Sequence, residues 1–326
     1  MAYQITLITP EEKDRLTSRF MPSVRYEIKS EIYGCCIKLL SDDSALRDTW
    51  QENFYSMSQN IRSHGRMFVF RTPEYPQDSV FFDPQSRTAF LFNVGYYGWI
   101  KSLALSLAGD ILEDEHGIFS VHGALVDIAG SGLCLMGISG AGKTTQTYGL
   151  LRYPHTRIVS DDWFFSRIFG PEILSYGSEK NFYIRHDLAT VWKEFGGLVR
   201  NEEYDRNDRA VADIRWVIGK GRLLPMTTLK TVIVLKRDPA DRNTVQSLTP
   251  EAALALFQRN NFFNPHLLVC TSYKTAIRAG YMKELLERTA IYEVNTNGTP
   301  AETQRMIRSL AGIPQDDSPM DDPGSG

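Results

Sequence analysis

The sequence is poor in cysteine, in long apolar runs and in excess charge of either sign. Its four cysteines, Cys35, Cys36, Cys134 and Cys270, are too few for a disulfide framework in a chain of 326 residues. They form no C-x-x-C pair that would suggest a zinc site. They read as reduced thiols, which points to a cytoplasmic protein. No stretch approaches ~18 uninterrupted apolar residues, so no membrane span is expected. The opening MAYQITLITPEEKDR has no basic segment followed by an apolar run, so no secretory leader is expected. Lys and Arg total 36 against 39 Asp and Glu, a net charge of −3. So balanced a chain has no global pull toward nucleic acid or anionic lipid. Nor do aromatic and basic residues interleave as on a nucleic-acid platform.

What the chain does contain is core. Hydrophobic residues make up 42% and aromatics 11%, which excludes wholesale disorder. The length suits about two domains at roughly 150 residues each, and no internal repeat is present. Residues 1–114 read as a smaller mixed α+β region. Tyr33–Leu40, Met67–Phe70 and Ala89–Asn93 are expected strands, separated by turn-rich segments such as TPEYPQD. Ser44–Ile61 reads as a helix capped by Ser44, and Trp99–Leu112 carries apolar residues at helical spacing. Residues 115–312 change texture. VHGALVDIAG and GLCLMG read as two strands leading into a glycine-rich turn, and helix and strand signals then alternate, as in an α/β domain. Residues 313–326, rich in Pro, Asp, Ser and Gly, are expected to be a disordered tail.

The strongest chemical signal is Gly137-Ile-Ser-Gly-Ala-Gly-Lys143-Thr144, which fits G-x-x-x-x-G-K-[ST]. A strand precedes it and the helix-compatible TTQTYGLL follows, the context that a phosphate-binding loop requires. Gly137, Ser139, Gly140, Ala141, Gly142, Lys143, Thr144 and Thr145 are the candidate phosphate cradle. The glycines let backbone N–H groups close on an anion at the positive end of the next helix. Lys143 would reach the β- and γ-phosphates, and the Thr144 hydroxyl would ligate Mg2+.

Asp161-Asp162 follows the short apolar segment RIV, one helix and one strand after the loop. That spacing predicts a strand end beside the phosphate site. One carboxylate can hold the metal while its neighbour accepts a proton from an attacking hydroxyl. The alternative is a helix cap or a solvated turn.

His122-Gly123-Ala-Leu-Val-Asp127, then GISGAGKT, then Ser160-Asp161-Asp162 together resemble bacterial HPr kinase/phosphorylase. The loop also resembles that of the ATP-dependent phosphoenolpyruvate carboxykinases, G-x-S-G-x-G-K-T-T. Gly177 to Arg185 and Asn207-Asp208-Arg209 are loosely similar to later carboxykinase segments, so the likeness runs over about 119–236. The resemblance implies a carboxykinase-like nucleotide-binding domain and a catalytic role for His122 near the phosphate. It also implies a metal- or acceptor-positioning role for Glu179 and a charge-neutralising role for Arg209. The alternatives are a structural histidine in an apolar strand, an exposed Glu in a polar loop and one charge in the solvated run NEEYDRNDR. Arg185 and Lys180 are weaker candidates of the same kind as Arg209; Lys236-Arg237-Asp238-Pro239, after KTVIVL, either lines the nucleotide base or simply ends a strand.

The resulting expectation is an ATP-dependent phosphotransferase, a kinase whose catalytic residues are Asp161, His122, Lys143 and Arg209. Its cofactors would be ATP, or another nucleotide or pyrophosphate donor, with Mg2+ on Thr144, Asp162 and Glu179. Its partner would be a hydroxyl-bearing acceptor: a serine of a small protein or peptide, a free amino acid or another small molecule. HPr kinases are hexameric, so the resemblance implies a homo-oligomer; neither nucleic acid nor a membrane is an expected partner. The alternatives are a nucleotide-sensing module without turnover and a true carboxykinase. Against the latter stand the chain length and the lack of identifiable substrate arginines.

Overall fold

The computed structural model describes residues 3–200, 204 and 208–313. The expected tail after Ile313, and Asn207 of the Asn-Asp-Arg segment, lie outside the described residues. The chain divides into two compact units: Met1–Phe119 with Pro265–Lys274, and Ser120–Asn264 with Thr275–Gly326. Both mix helices with parallel and antiparallel strands.

In chain order the first unit runs β1 (Gln4–Leu7), α1 (Pro10–Phe20), β2 (Tyr26–Ile32), β3 (Cys35–Ser41), α2 (Ser44–Asn53), β4 (Tyr55–Ser56), β5 (Gly65–Phe70), β6 (Ser79–Asp83), β7 (Thr88–Phe92) and α3 (Tyr97–His116). Its seven-stranded sheet has the order β1-β6-β7-β5-β3-β2-β4. Helix α1 starts on a capping box in which Thr9 and Glu12 each satisfy the other's backbone N–H, with Pro10 in the first turn. Its Leu16 and Phe20 pack with Leu40, Phe68, Phe70, Phe90 and Phe92 on one sheet face.

Helix α2 departs from expectation at both ends. Asp43, not Ser44, is its cap, accepting from the backbone N–H groups of Ala45 and Leu46. It stops at Asn53 rather than Ile61, because Phe54 turns extended and β4 pairs with β2. Helix α3 is longer than expected, ending where Gly117 takes φ +60°. It is buried almost all round, as a helix apolar on several faces must be. No helix among the described residues is long and apolar enough to cross a membrane.

The second unit contains β8 (Phe119–His122), β9 (Ala124–Ile128), β10 (Ser131–Gly137), α4 (Lys143–Leu151), β11 (Thr156–Ser160), β12 (Trp163–Phe169), β13 (Glu172–Gly177) and β14 (Phe182–Arg185). There follow α5 (Leu188–Val191), α6 (Gly196–Arg200), β15 (Arg209–Ala212), α7 (Arg215–Ile218), β16 (Met226–Lys236), β17 (Val245–Ser247), α8 (Pro250–Arg259), α9 (Ser272–Glu287), β18 (Ala290–Asn295) and α10 (Pro300–Leu310). The segment expected to supply two strands supplies three. Gly123 separates β8 from β9, at a point where a Cβ would meet the Leu135 carbonyl oxygen at 2.8 Å.

The sheet path is β11-β9-β10-β16-β13-β12-β8, with β18 beside β16. β10 runs parallel to β16, and β16 to β18. β9 is antiparallel to both β10 and β11, so β10 and β11 point the same way. Their C-terminal ends, carrying the glycine-rich loop and the Asp pair, therefore lie at one edge of the sheet. Leu133, Leu135, Leu150, Ile233, Leu235, Val294 and Ile307 form the core between this sheet and helices α4 and α10.

Candidate active site

The loop between β10 and α4 owes its path to two glycines. Gly137 has φ +148°, and a Cβ there would lie 2.4 Å from the Leu235 carbonyl oxygen of neighbouring β16. Gly142 caps α4 at φ +98°, a left-handed conformation that only glycine takes readily. Lys143 opens the helix and folds back along the loop, its Nζ donating to the carbonyl oxygens of Gly137 (2.7 Å) and Ile138 (3.4 Å). The loop thus holds its own lysine on backbone oxygens, where β- and γ-phosphate oxygens would compete for it. Thr144 and Thr145 follow in the first turn of α4, at the positive end of the helix dipole.

Thr296, just past β18, secures the loop from the far side. Its hydroxyl lies 3.1 Å from the Ala141 carbonyl and 3.0 Å from the Lys236 carbonyl. Trp192 holds the other flank, donating from Nε1 to the Thr145 carbonyl at 2.7 Å. Neither residue carries a sequence signal, because both reach the loop from distant elements.

The Asp pair occupies the turn from β11 into β12. Ser160 closes that turn: its hydroxyl donates to the Trp163 carbonyl (2.5 Å) and accepts from the Trp163 N–H (3.3 Å). The two carboxylates meet different surroundings. Asp162 keeps a side-chain exposure of 35% and lies 3.1 Å from His122 Nε2. Asp161 is 4% exposed. Together with Glu179, 8% exposed, it lies within electrostatic reach of the buried Tyr148 hydroxyl. Burial pushes that phenol well up, and the two carboxylates push it further.

His122 is fixed on both sides. Its Nδ1 is 2.7 Å from the Phe263 carbonyl oxygen, which can only accept, so Nδ1 carries a proton. Its Nε2 faces Asp162, and its ring stacks on Trp163 at 5.7 Å between centroids. The carbonyl belongs to a turn with three successive left-handed residues, Asn261 (φ +49°), Phe262 (φ +53°) and Phe263 (φ +56°), a costly path for side-chain-bearing residues. Trp163, Phe164 and Phe165 are fully buried, as core residues should be.

Lys143, Asp162 and Arg209 share one electrostatic neighbourhood. Burial holds the Lys143 ammonium below the usual lysine range; Asp162 pulls it back up and Arg209 pushes it further down. Arg209 opens β15, paired with β14, and its guanidinium sits 5.7 Å from the Tyr183 ring centre.

The structure therefore sets His122 against Asp162 and places Asp162 and Arg209 within electrostatic reach of Lys143. It sets Asp161 and Glu179 deeper, around Tyr148. Arg185 instead pairs with Asp187 at 3.0 Å. Lys236 bridges Asp241 (2.7 Å) and Glu293 (2.5 Å), the contacts of a strand end.

Among the described residues no three His, Cys, Asp or Glu side chains form a metal cage. Mg2+ does not need one, because it is commonly held by one or two carboxylates plus substrate phosphates. The candidate donors are Thr144 at the start of α4 and the buried carboxylates of Asp161 and Glu179, whose charge reaches the Tyr148 hydroxyl one helical turn on.

No known family's sequence profile matches the chain, and no curated protein matches it in sequence. In structure it is similar to the Hpr(Ser) kinase/phosphatase from Coxiella burnetii, at 10% identity and a TM-score of 0.33, covering 59% of this chain and 95% of that one. The chemistry of this chain has to be found in its own residues.

Proposed function

We propose that the protein is a nucleotide-dependent kinase that transfers a phosphoryl group to an acceptor hydroxyl. The observation carrying this reading is the Asp162–His122 pair beside Lys143. A loop that only bound nucleotide would need no oriented carboxylate at the same sheet edge. Residues 137–145 cradle the donor phosphates, and Lys143 exchanges its loop carbonyls for phosphate oxygens. Arg209 neutralises charge on the moving group.

A general base must touch the proton it takes. Of the two carboxylates, Asp162 is the exposed one, and His122 holds it in place. We therefore give proton acceptance to Asp162 with His122, in place of Asp161. Thr144, Asp161 and Glu179 would hold Mg2+, which supplies charge neutralisation between the donor phosphates. The acceptor is a serine of a small protein or peptide, a free amino acid or another small hydroxyl compound, met in the cytoplasm.

The test is a donor-consumption assay with Mg2+ and ATP, ADP, GTP or pyrophosphate, against metabolite pools and cell-extract proteins. Label on a specific acceptor, absent with Lys143→Ala, is the expected result. Tight nucleotide binding with no acceptor labelled and no hydrolysis would refute the kinase and leave a nucleotide sensor.

A further inference from the structure

The first unit carries a second concentration of charge, independent of the glycine-rich loop. Register across its sheet aligns Lys29 of β2 with Lys38 of β3, and Lys38 with Arg66 of β5. Directly paired residues on neighbouring strands point to the same face, so three cations stand in a row on one face. Like charges directly across strands repel and cost stability. The row continues into the apolar part of the same face, where Leu40 pairs with Phe68 and Phe68 with Phe90, beneath α1. Helix α1 covers the apolar half only.

The other half opens into a cavity of about 550 Å³ lined by Lys38, Arg62, Arg66, Arg87, His64 and Ser86, with no carboxylate in its lining. Two of these cations have partners outside the cavity: Lys38 pairs with Glu27 at 2.7 Å, and Arg87 pairs with Glu115. Among the described residues, Arg62 and Arg66 take part in no ion pair. His64 Nδ1 accepts the Cys36 backbone N–H at 2.8 Å, so its ring proton sits on Nε2 as a donor. Lys29 holds the carbonyls of Gln59 and Ile61, fixing the approach to Arg62. Arg87 itself sits at φ +54° in the β6–β7 turn, which the buried Asp83 stabilises by accepting from the Gln85 and Ser86 N–H groups.

We propose that this pocket binds a compact, multiply charged phosphate compound. Donors converge on it from two strands, β3 and β5, and two loops, and guanidinium forks suit phosphate oxygens. No Phe, Tyr or Trp side chain lines it, so it lacks the large rings on which a nucleobase stacks best. That separates its ligand from the nucleotide expected at residues 137–145. The bound anion would also relieve the repulsion along the Lys38–Arg66 row.

The experiment is calorimetric titration of inorganic pyrophosphate, at low and moderate salt, into the full chain carrying Lys143→Ala, which removes the loop lysine. Binding should persist there. It should weaken roughly tenfold or more when Arg66→Gln or Arg62→Gln is added, the scale of one charge-assisted contact. Arg66→Gln should melt no lower than its parent, because it breaks a like-charge contact, and the exposed Arg62→Gln carries the test if Arg66→Gln does not fold. Loss of all pyrophosphate binding with Lys143→Ala alone would overturn the proposal. So would binding indifferent to both arginine substitutions, or a single-stranded oligonucleotide that binds more tightly than pyrophosphate through the same arginines.

Discussion

Replacing Asp162 by Asn separates proton acceptance from nucleotide binding. His122 Nδ1 is committed to the Phe263 carbonyl. A neutral imidazole therefore presents an Nε2 lone pair, and the Asn amide can donate to it across the present 3.1 Å. The substitution keeps side-chain volume and one hydrogen bond, so the fold should hold. It also takes one negative charge from beside Lys143, whose ammonium Asp162 helps keep protonated. Phosphate affinity at neutral pH should be retained, since the variant repels the donor less. What is lost is the base. Removing a positioned base costs about 10²–10⁴-fold in rate, or about 3–5 kcal/mol of barrier at 1.36 kcal/mol per tenfold. Single-turnover transfer from labelled donor, run beside fluorescent-nucleotide titration and Asp161→Asn, reads both quantities. Asp161→Asn should raise the Mg2+ concentration needed for half-maximal rate. Transfer by Asp162→Asn within tenfold of the parent, or loss of its nucleotide binding together with its activity, would refute the assignment.

Three further outcomes follow from the same contacts. Thr296→Val removes the hydroxyl between Ala141 and Lys236, a loss of about 1 kcal/mol, and should weaken nucleotide binding several-fold while leaving secondary structure intact by circular dichroism. Gly137→Ala places a Cβ 2.4 Å from the Leu235 carbonyl. It should cost about 1–3 kcal/mol as overpacking does, read as a lower melting temperature with nucleotide binding lost. Lys274, 8% exposed, bridges Asp110 (3.1 Å) and Glu113 (2.9 Å) and pairs with Asp114. Lys274→Met should destabilise by about 3–5 kcal/mol at neutral pH. That penalty should shrink as pH falls: burial already raises the Asp110 carboxyl above its ordinary value, and once protonated it no longer needs the ammonium. Chemical denaturation at several pH values checks both statements.

Local chemistry carried much of this protein's organisation in the sequence. The glycine-rich loop was legible because its conformations demand Gly137 and Gly142 at fixed spacing from Lys143. Helix α10 starts on an equally local signal, since Thr299 and Glu302 form a capping box around Pro300 within four residues. Helix α2 was not, because Asp43 competes with Ser44 for the cap and β4 ends the helix by pairing with a strand more than twenty residues earlier. The Asp pair could be placed at a strand end, but which carboxylate is buried and which faces His122 depends on Ser160, Trp163 and Tyr148, side chains from three elements. Thr296, Trp192 and the Phe263 carbonyl enter the site across gaps of more than 45 residues, and no local pattern marks them. The Lys29–Lys38–Arg66 row is the clearest case: each residue alone is an ordinary surface charge. Only strand register, which pairs residues by hydrogen bonding across the sheet and not by their spacing along the chain, sets the three side by side.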